Sequence, residues 1–348
     1  MKILFTIPTW NRAEQLALTL AKIINSAEDA KREIGILVSD NHSTDETSSV
    51  LSTMTDAYAF IEVIRPQAHI SGMGNYRFIL EQALARTSEC DYIWSFGDDD
   101  DVSIDGLFKV CCVIESESPY FVSVGNIRLS PHTNNNYAGT VRDLALNFGF
   151  FLVFGFISQL IFSRQLIEDI ISNNLMNGRF LHDSYSHGSS IIFIGSHKLG
   201  IYIDSPVSSY REVNNSEVET RKRWESEKVF DGIFGFTNSL KILTQDGILP
   251  KKLSRTFFRY WKWQFWDFLL YNASLAAMAD RKELNSKYWD SIYELTNYLE
   301  DAELAKRICI NVDLQRMLIA SSNDNDFIAL SLNKYEGLHV YKSFLGER

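Results

Sequence analysis

The chain has 348 residues, of which 45% are hydrophobic, and it carries a formal net charge of −10 with a pI near 5.3. This length and apolar content suffice for a large core in one or two domains, which excludes a disordered chain. The negative charge argues against a polymeric nucleic acid bound through a basic surface.

The cysteines and the amino terminus both favour a cytoplasmic protein. The four cysteines are Cys90, Cys111, Cys112 and Cys309, and none forms a C-x-x-C pair, so neither a zinc site nor a disulfide framework is indicated. The apolar run before Pro8 is short and lacks a cleavage site, so we expect no signal peptide.

The first hundred residues alternate between strand and helix patterns. Residues 2–8 predict a buried strand, and the next apolar residues recur at helical spacing from Leu16 to Ile24. Further predicted strands lie at 33–38, 60–64 and 90–96, and predicted helices at 46–54 and 76–85. This alternation predicts a doubly wound, mostly parallel sheet, which binds ligands at the carboxyl ends of its strands. The loops expected at that edge are 8–12, 40–45, 72–75 and 98–101.

The acidic segment Tyr92–Asp101, YIWSFGDDDD, stands out among these loops. An aromatic run stops at one glycine and is followed by four consecutive carboxylates, which we expect to project from the end of a strand. Clustered carboxylates repel one another unless a cation lies among them, and Mg²⁺ and Mn²⁺ prefer such oxygen ligands. The segment therefore predicts a metal site. The alternative is a solvated acidic turn or a helix N-terminus, because helical spacing follows Asp101.

The other loops add polar groups suited to a nucleoside diphosphate. No G-x-G-x-x-G follows the first strand and no P-loop motif occurs. Asp40 can accept hydrogen bonds from a base or ribose, and Thr9 and Arg12 can hold phosphate or base edges. Each has an ordinary alternative: Asp40 as a turn residue, Arg12 as a surface charge and Asn75 as a helix N-cap.

Four motifs in this order carry a family resemblance: IPTWNR at 7–12, VSDNHSTDET at 38–47, GMGNYRFILEQAL at 72–84 and IWSFGDDDD at 93–101. Over about the first third of the chain they resemble family 2 glycosyltransferases of the GT-A fold. The nearest likeness is to bacterial O-antigen or capsule sugar transferases, including an abequosyltransferase-like group.

The resemblance implies a Rossmann-like GT-A sheet, mostly parallel and flanked by helices, that binds a nucleotide-sugar donor with Mn²⁺ or Mg²⁺ in a D-x-D motif. It assigns nucleotide contacts to Pro8, Thr9, Trp10, Arg12, Asp40, Asn75 and Asp99. The D-x-D pair is then Asp98 and Asp100, with Asp98 also near the nucleotide. The frame Asp99 with Asp101 stays open.

The family also implies an inverting displacement with a downstream carboxylate as base. We assign Asp183, in the segment GRFLHDSYSH at 178–187, as that base. His182 or His187 orients it or reaches the metal, and we count His187 among the metal ligands. Arg211 is expected at the diphosphate. The alternative for 182–187 is a polar helix entry capped by Asp183 or Ser184.

The sequence predicts a catalytic domain at 1–215, with a nucleotide-sugar half at 1–105 and an acceptor half at 106–215, and a carboxyl-terminal helical subdomain at 216–348. Helices are predicted at 217–243, 253–279 and 281–297. The uncharged stretch Leu144–Ser163 predicts two buried strands rather than a membrane span. Residues 251–271 interleave basic side chains with tryptophans, which suits either a peripheral membrane contact or a helix packed in the protein.

Together these patterns and the family resemblance imply a metal-dependent glycosyltransferase that acts on a glycan or lipid-linked oligosaccharide, in the cytoplasm or peripherally at the inner face of the cell membrane. One alternative is a nucleotidyltransferase acting on a sugar phosphate, which IPTWNR disfavours because it lacks a glycine-rich loop. Another is a carbohydrate-binding relative without catalysis.

Overall fold

A computed structural model describes residues 2–86, 90–126, 135–181, 185–210, 235–260, 263–264 and 282–321. The first part of the chain contains β1 (Ile3–Thr9), α1 (Ala13–Asp29), β2 (Ile34–Asp40), α2 (Thr47–Ala57), β3 (Ile61–Ile64), α3 (Gly72–Arg86), β4 (Tyr92–Ser95), β5 (Asp100–Val102) and α4 (Ile104–Glu117). Strands and helices alternate here as the sequence predicts.

The middle of the chain contains β6 (Phe121–Asn126), β7 (Asn136–Thr140), α5 (Val141–Phe148), α6 (Phe150–Phe154), β8 (Leu160–Ser163), α7 (Arg164–Ser172), α8 (Ser186–Gly195) and β9 (Leu199–Tyr210). It is followed by helix α9 at 235–245, the paired strands β10 (Arg259–Tyr260) and β11 (Trp263–Gln264), and helices α10 (Lys282–Thr296) and α11 (Ala302–Ser321).

Within the described residues, β1 to β9 form one mixed sheet in the order β3-β2-β1-β4-β8-β6-β9-β5, with β7 paired to β9. β1 pairs in parallel with β2 and β4, and β2 pairs in parallel with β3. The register sets Thr9 beside Asp40, so β1 and β2 end level with each other. The predicted parallel arrangement is confirmed for β1 to β4, and β8 then runs antiparallel between β4 and β6.

Apolar cores cover both faces of the sheet because its central strands are hydrophobic throughout. Ile3, Phe5 and Ile7 of β1 pack on one face with the buried sides of α1, α2 and α4. Leu4 lies on the other face, in a cluster that includes α3, α5 to α8 and the helices beyond residue 235. Burial of each large side chain contributes about 1.5–3 kcal/mol, so both cores hold the strand ends in place.

The acidic segment departs from the expected position. We expected these carboxylates outside the sheet, but Asp100 and Asp101 lie in β5, paired antiparallel with Tyr210 and Ser209 of β9. That expectation is wrong for these two residues. β5 is three residues long and lies at the end of the sheet, where a strand has only one neighbour and leaves room for charged side chains. α4 follows directly, capped by Ser103, whose Oγ accepts from Gly106 N at 3.1 Å.

The prediction for the uncharged stretch at 144–163 is half confirmed. It forms one buried strand, β8, preceded by the end of α5, the helix α6 and a 3₁₀ turn at Ile157–Gln159. Among the described residues, no helix is long and apolar enough to cross a membrane.

The prediction of a helix over 253–279 is wrong for the part of that range that the structure describes. Leu253 forms an isolated bridge with Leu299, and β10 and β11 make a short hairpin. Phe257 and Phe258 are fully buried, and the Phe257 carbonyl accepts from Phe150 N at 2.9 Å. The aromatic side chains fill the core instead of lining a helix. The prediction at 281–297 is confirmed by α10, and the prediction at 217–243 overlaps the described part of α9.

The division of the chain at residue 215 stays a prediction. In the described residues, α9 packs on the same core as the preceding part, with the Phe236 ring 4.8 Å from the Phe150 ring.

Candidate active site

The loops after β1, β2 and β4 meet at one edge of the sheet, as predicted. Asn41 N donates to the Thr9 carbonyl at 3.0 Å, and Thr44 N donates to Asn11 Oδ1 at 2.7 Å. Asn11 and His42 both have positive φ, 52° and 61°, a conformation that asparagine and histidine adopt more readily than most residues. The first two loops are therefore fastened to each other across the ends of β1 and β2.

The first loop also holds the acidic segment. Thr9 Oγ1 donates to Asp98 Oδ2 at 2.8 Å. Arg12 Nη1 lies 2.5 Å from Asp99 Oδ2 and 3.4 Å from Asp98 Oδ1. The buried Thr19 hydroxyl lies 3.0 Å from the carbonyls of both Asp98 and Asp100, which fixes the turn between β4 and β5. Thr9, Arg12 and Asp98, separated by up to 89 positions in sequence, form one cluster as the motif pattern predicts.

Asp100 is held from a different part of the chain. Ser158 Oγ donates to Asp100 Oδ2 and accepts from Gly97 N at 2.8 Å. Gly97 is needed here because a Cβ at this position would lie 2.8 Å from Asp100 Oδ2. Trp94 Nε1 donates to the Ser158 carbonyl at 3.0 Å, which positions the serine from β4. The sequence analysis missed Ser158, since a lone hydroxyl in an uncharged stretch gives no signal of its own.

Burial has the largest effect on the electrostatics of the acidic cluster. Burial raises the pKa of Asp98 to about 7; Arg12 and Thr9 oppose that shift, and the charge of Asp99 adds to it. Burial, followed by the charge of Asp99, also raises the pKa of Asp100 to about 7, against the hydrogen bond from Ser158. Both shifts disfavour the ionised carboxylates, so an added cation would stabilise the cluster.

Asp40, at the end of β2, has the opposite electrostatics. Its side chain is fully buried, and burial alone would raise its pKa. Ser43 N donates to Oδ1 at 2.9 Å and the Arg65 guanidinium pairs with Oδ2, and these interactions hold the pKa below its usual value. Asp40 is therefore a stable anion. Arg65 was not predicted, because it follows β3 in a segment with no recognisable motif.

The nucleotide contacts predicted around Asp40 lie in the same loops. Trp10 is half exposed, and its ring centroid lies 4.8 Å from that of His69. His69 Nδ1 donates to the Asn41 carbonyl at 2.9 Å, so the ring is held against the loop after β2. Pro8 is the penultimate residue of β1. An exposed aromatic ring beside a buried carboxylate suits a stacked base.

Asn75, in the first turn of α3, is fastened to the end of β2. Its Oδ1 accepts from Ser39 Oγ at 2.5 Å, and its Nδ2 donates to the Ser39 carbonyl at 3.1 Å. It is almost fully buried, so its role in the described structure is to join α3 to β2 one residue before Asp40.

The donor chemistry of the cluster fits a divalent cation, since Asp98, Asp99 and Asp100 offer hard carboxylate oxygens close together. Among the residues that the structure describes, no group of three or more histidine, cysteine or acidic side chains is arranged to hold a metal ion. In the described structure Asp98 contacts Thr9 and Arg12, and Asp100 contacts Ser158.

His187 makes its contacts elsewhere. Its Nε2 donates to the Phe154 carbonyl at 2.8 Å, and its ring lies 5.8 Å from that of Tyr76. Burial lowers the pKa of His187 to about 4, so the ring is neutral. Its role as a metal ligand stays a prediction. His182, Asp183 and Arg211 lie outside the described residues.

The mixed sheet flanked by helices is that of the GT-A glycosyltransferases. Residues 5–172 match the model of the family described as "Glycosyl transferase family 2". This part of the chain is a family 2 glycosyltransferase domain, which confirms the resemblance. The mannosyltransferase PcManGT from Pyrobaculum calidifontis, in complex with GDP-Man and Mn²⁺, has a similar fold, with a TM-score of 0.56 at 13% identity over 99% of this chain and 82% of that one.

Two further relatives are similar over different lengths. Abequosyltransferase RfbV of Salmonella typhimurium is 33% identical over 122 residues, which are 35% of this chain and 35% of the relative. The match thus spans about a third of that curated protein. S. aureus TarS 1–349 in complex with UDP-GlcNAc gives a TM-score of 0.49 at 11% identity over 90% of both chains.

Proposed function

We propose that the chain transfers a sugar from a nucleoside diphosphate to a hydroxyl group of a glycan acceptor, with Mn²⁺ or Mg²⁺ bound at the acidic cluster. The observation that carries this proposal is the grouping of the buried Asp98 and the partly buried Asp100 beside Thr9, Arg12 and Ser158. Burial disfavours the ionised form of both carboxylates, which a bound cation would offset. They lie at the same sheet edge as Thr9, Arg12 and Asp40, which suit the other parts of a nucleotide.

In this proposal Trp10 stacks on the base, Asp40 accepts from the base or ribose, and Pro8 and Thr9 line the nucleotide. Arg12 and Asp99 lie at the diphosphate, and Asn75 holds α3 beside the site. Asp98 and Asp100 would hold the metal, which supplies positive charge for the departing diphosphate. Arg211 at the diphosphate and His187 at the metal remain predictions.

The transfer itself is proposed as an inverting displacement. Asp183 removes the proton of an acceptor hydroxyl as its oxygen forms a bond to the anomeric carbon, and the bond from that carbon to the diphosphate oxygen breaks on the opposite face. The likeness to abequosyltransferase RfbV supports a surface glycan as acceptor. A lipid-linked acceptor and a peripheral contact through 251–271 remain part of the proposal. For the contact, the described residues offer the exposed Lys251 and Lys252.

Binding and turnover test this function separately. Calorimetry with UDP, GDP and CDP, with and without Mn²⁺, should show binding of one nucleotide that requires the metal. Asp100→Ala should abolish that binding, whereas Asp56→Ala, which removes an exposed acid from α2, should not change it. Metal-dependent binding that persists in Asp100→Ala would contradict the metal assignment.

The base is tested by a change that preserves shape. Asp183→Asn should keep donor binding and lose transfer, because an amide cannot take a proton. Near-native transfer by this variant would place the base elsewhere. Metal-dependent nucleotide binding without any sugar transfer or donor hydrolysis would favour a non-catalytic relative, and diphosphate formation from a nucleoside triphosphate would favour a nucleotidyltransferase.

A further inference from the structure

Arg12 occupies an unusual position between two parts of the site. Arg12 is the residue directly before α1, and its side chain reaches the acidic segment after β4. One atom, Nη1, contacts carboxylates of two successive residues, Asp99 at 2.5 Å and Asp98 at 3.4 Å. The side chain is about one third exposed, while those of Asp98 and Asp99 are 11% and 16% exposed. The guanidinium thus covers the solvent side of the acidic cluster.

A guanidinium and a divalent ion compete for such a position. Two like charges a few ångströms apart repel each other strongly at a protein surface, and the doubled charge of a metal ion doubles the repulsion. The carboxylate oxygens that face Arg12 are also occupied by its N–H groups. A metal ion that binds Asp98 or Asp99 must therefore displace Arg12 or bind weakly.

A diphosphate changes this balance, because it gives the displaced guanidinium a new partner. Arginine binds phosphate oxygens in a bidentate geometry, and such charge-assisted hydrogen bonds are about twice as strong as neutral ones. The exposed third of the Arg12 side chain gives it room to turn away from the acids.

We propose that Arg12 is a displaceable internal cation: it neutralises Asp98 and Asp99 in the donor-free protein, opposes binding of a divalent ion alone, and moves to the diphosphate when metal and donor bind together. Arg12 thereby couples the two ligands, so the protein holds metal tightly only with its donor. This inference rests on the proposed function, because it requires a nucleoside diphosphate at the site.

The test compares Arg12→Gln with the native protein in two titrations. The first uses Mn²⁺ alone, and the variant should bind it about tenfold or more tightly, since the competing charge is gone. The second uses UDP, GDP and CDP at saturating Mn²⁺, and the variant should bind the preferred nucleotide about tenfold or more weakly. Opposite changes in the two affinities are what the coupling requires.

Two controls separate this role from a structural one. Arg32→Gln removes another partly buried arginine, paired with Glu115 at 2.6 Å, and should change neither affinity. In EDTA, Arg12→Gln should unfold at lower temperature than the native protein, and added Mn²⁺ should restore more stability to the variant than to the native chain.

The outcomes test the proposed role of Arg12 separately from the proposed function. If the native protein binds a nucleotide in a Mn²⁺-dependent manner but Arg12→Gln binds Mn²⁺ alone no more tightly, the inference is wrong and the proposed function stands. If Arg12→Gln gains Mn²⁺ affinity while no nucleoside diphosphate binds the native protein, the internal cation stands, and the nucleotide coupling and the proposed function are both wrong.

Discussion

Two sets of buried aspartates lie at the same edge of the sheet and differ in how their charge is balanced. Asp40 is fully buried, yet Ser43 N and Arg65 stabilise its anion and lower its pKa. Asp98 is also buried and Asp100 partly so, but Arg12, Thr9 and Ser158 do not offset the effect of burial, and the pKa of each is raised to about 7. The chain's own groups thus stabilise the anion of Asp40, whereas at Asp98 and Asp100 they do not outweigh the effect of burial on the pKa.

By this comparison the charge of Asp40 is balanced by residues of the chain itself, whereas Asp98 and Asp100 are proposed to need a bound ligand. A carboxylate satisfied by its own chain is rigid and ready to recognise a neutral group such as a base or ribose. Carboxylates whose ionised form is disfavoured by burial cost stability, and under the proposed function a bound cation offsets that cost. Substitutions at the two places should therefore have opposite effects on stability.

The largest effect is expected at the acidic cluster. Asp100→Asn should reduce transfer by about 10³-fold or more, because it removes a metal-binding charge. In EDTA the same variant should be more stable by about 1–2 kcal/mol, since it removes one of several like charges. Transfer assays and urea unfolding at pH 8 measure the two effects. If Asp100→Asn were less stable than the native protein in EDTA, the proposed difference between Asp100 and Asp40 would be wrong.

His187 extends the comparison to a buried group that is neutral rather than anionic. Burial depresses its pKa from 6.5 to about 4, so the unfolded chain binds the proton more readily. The stability that follows is complete above pH 6.5 and is lost as pH falls towards 4, by about 3 kcal/mol in total. Arg77 opposes protonation from α3, and the rings of Tyr76 and Tyr185 face the imidazole.

His187→Phe should therefore flatten the dependence of unfolding free energy on pH between 6.5 and 4. Urea unfolding at intervals of half a pH unit measures the slope. An unchanged slope would assign the dependence to other groups. Loss of Mn²⁺ binding in the same variant would support His187 as a metal ligand, whereas retained binding would remove it from that set.

A smaller and opposite effect is expected at Asp40. The folded pKa of Asp40 is depressed, so its stabilising contribution is present above the unfolded value of 3.8 and is lost as pH falls through the folded value. Asp40→Asn should cost about 1–2 kcal/mol at pH 7, because Arg65 loses its charged partner while Ser43 N keeps an acceptor. The difference from the native protein should vanish in acid. A stabilised Asp40→Asn would show that Asp40 too is short of positive charge.

The sequence predicted the motif residues of this site, but it did not predict Arg65 and Ser158, which contact them. The predicted strands ending at Pro8, Val38 and Phe96 follow from apolar runs that stop at polar motifs, and parallel pairing then brings those motifs together. Arg65 and Ser158 were missed because each acts from a loop whose position depends on the packing of the whole sheet. Such contacts carry no local pattern.

Residues 251–271 show the opposite failure. Aromatic residues at close spacing fit a helix, but in the described part Phe257 and Phe258 are drawn into the core around Phe150, and the backbone pairs with Leu299 and with itself. Tertiary burial outweighed a local helical preference there. A cluster of aromatic residues in the sequence predicts that they will be buried. It does not determine the backbone conformation in which they are buried.

The smallest expected effect concerns the support of Trp10 by His69. If the His69 ring, held by the Asn41 carbonyl, orients Trp10 for base stacking, His69→Ala should weaken nucleotide binding about two- to fivefold without affecting Mn²⁺ binding. His197→Ala, at an exposed histidine, is the matched control. A double-mutant cycle with Trp10→Ala decides the mechanism: His69→Ala should have no further effect once Trp10 is absent. Additive losses would mean that His69 contacts the nucleotide itself, and the base would then be recognised by the ring nitrogens of His69 beside Asp40 rather than by the face of Trp10.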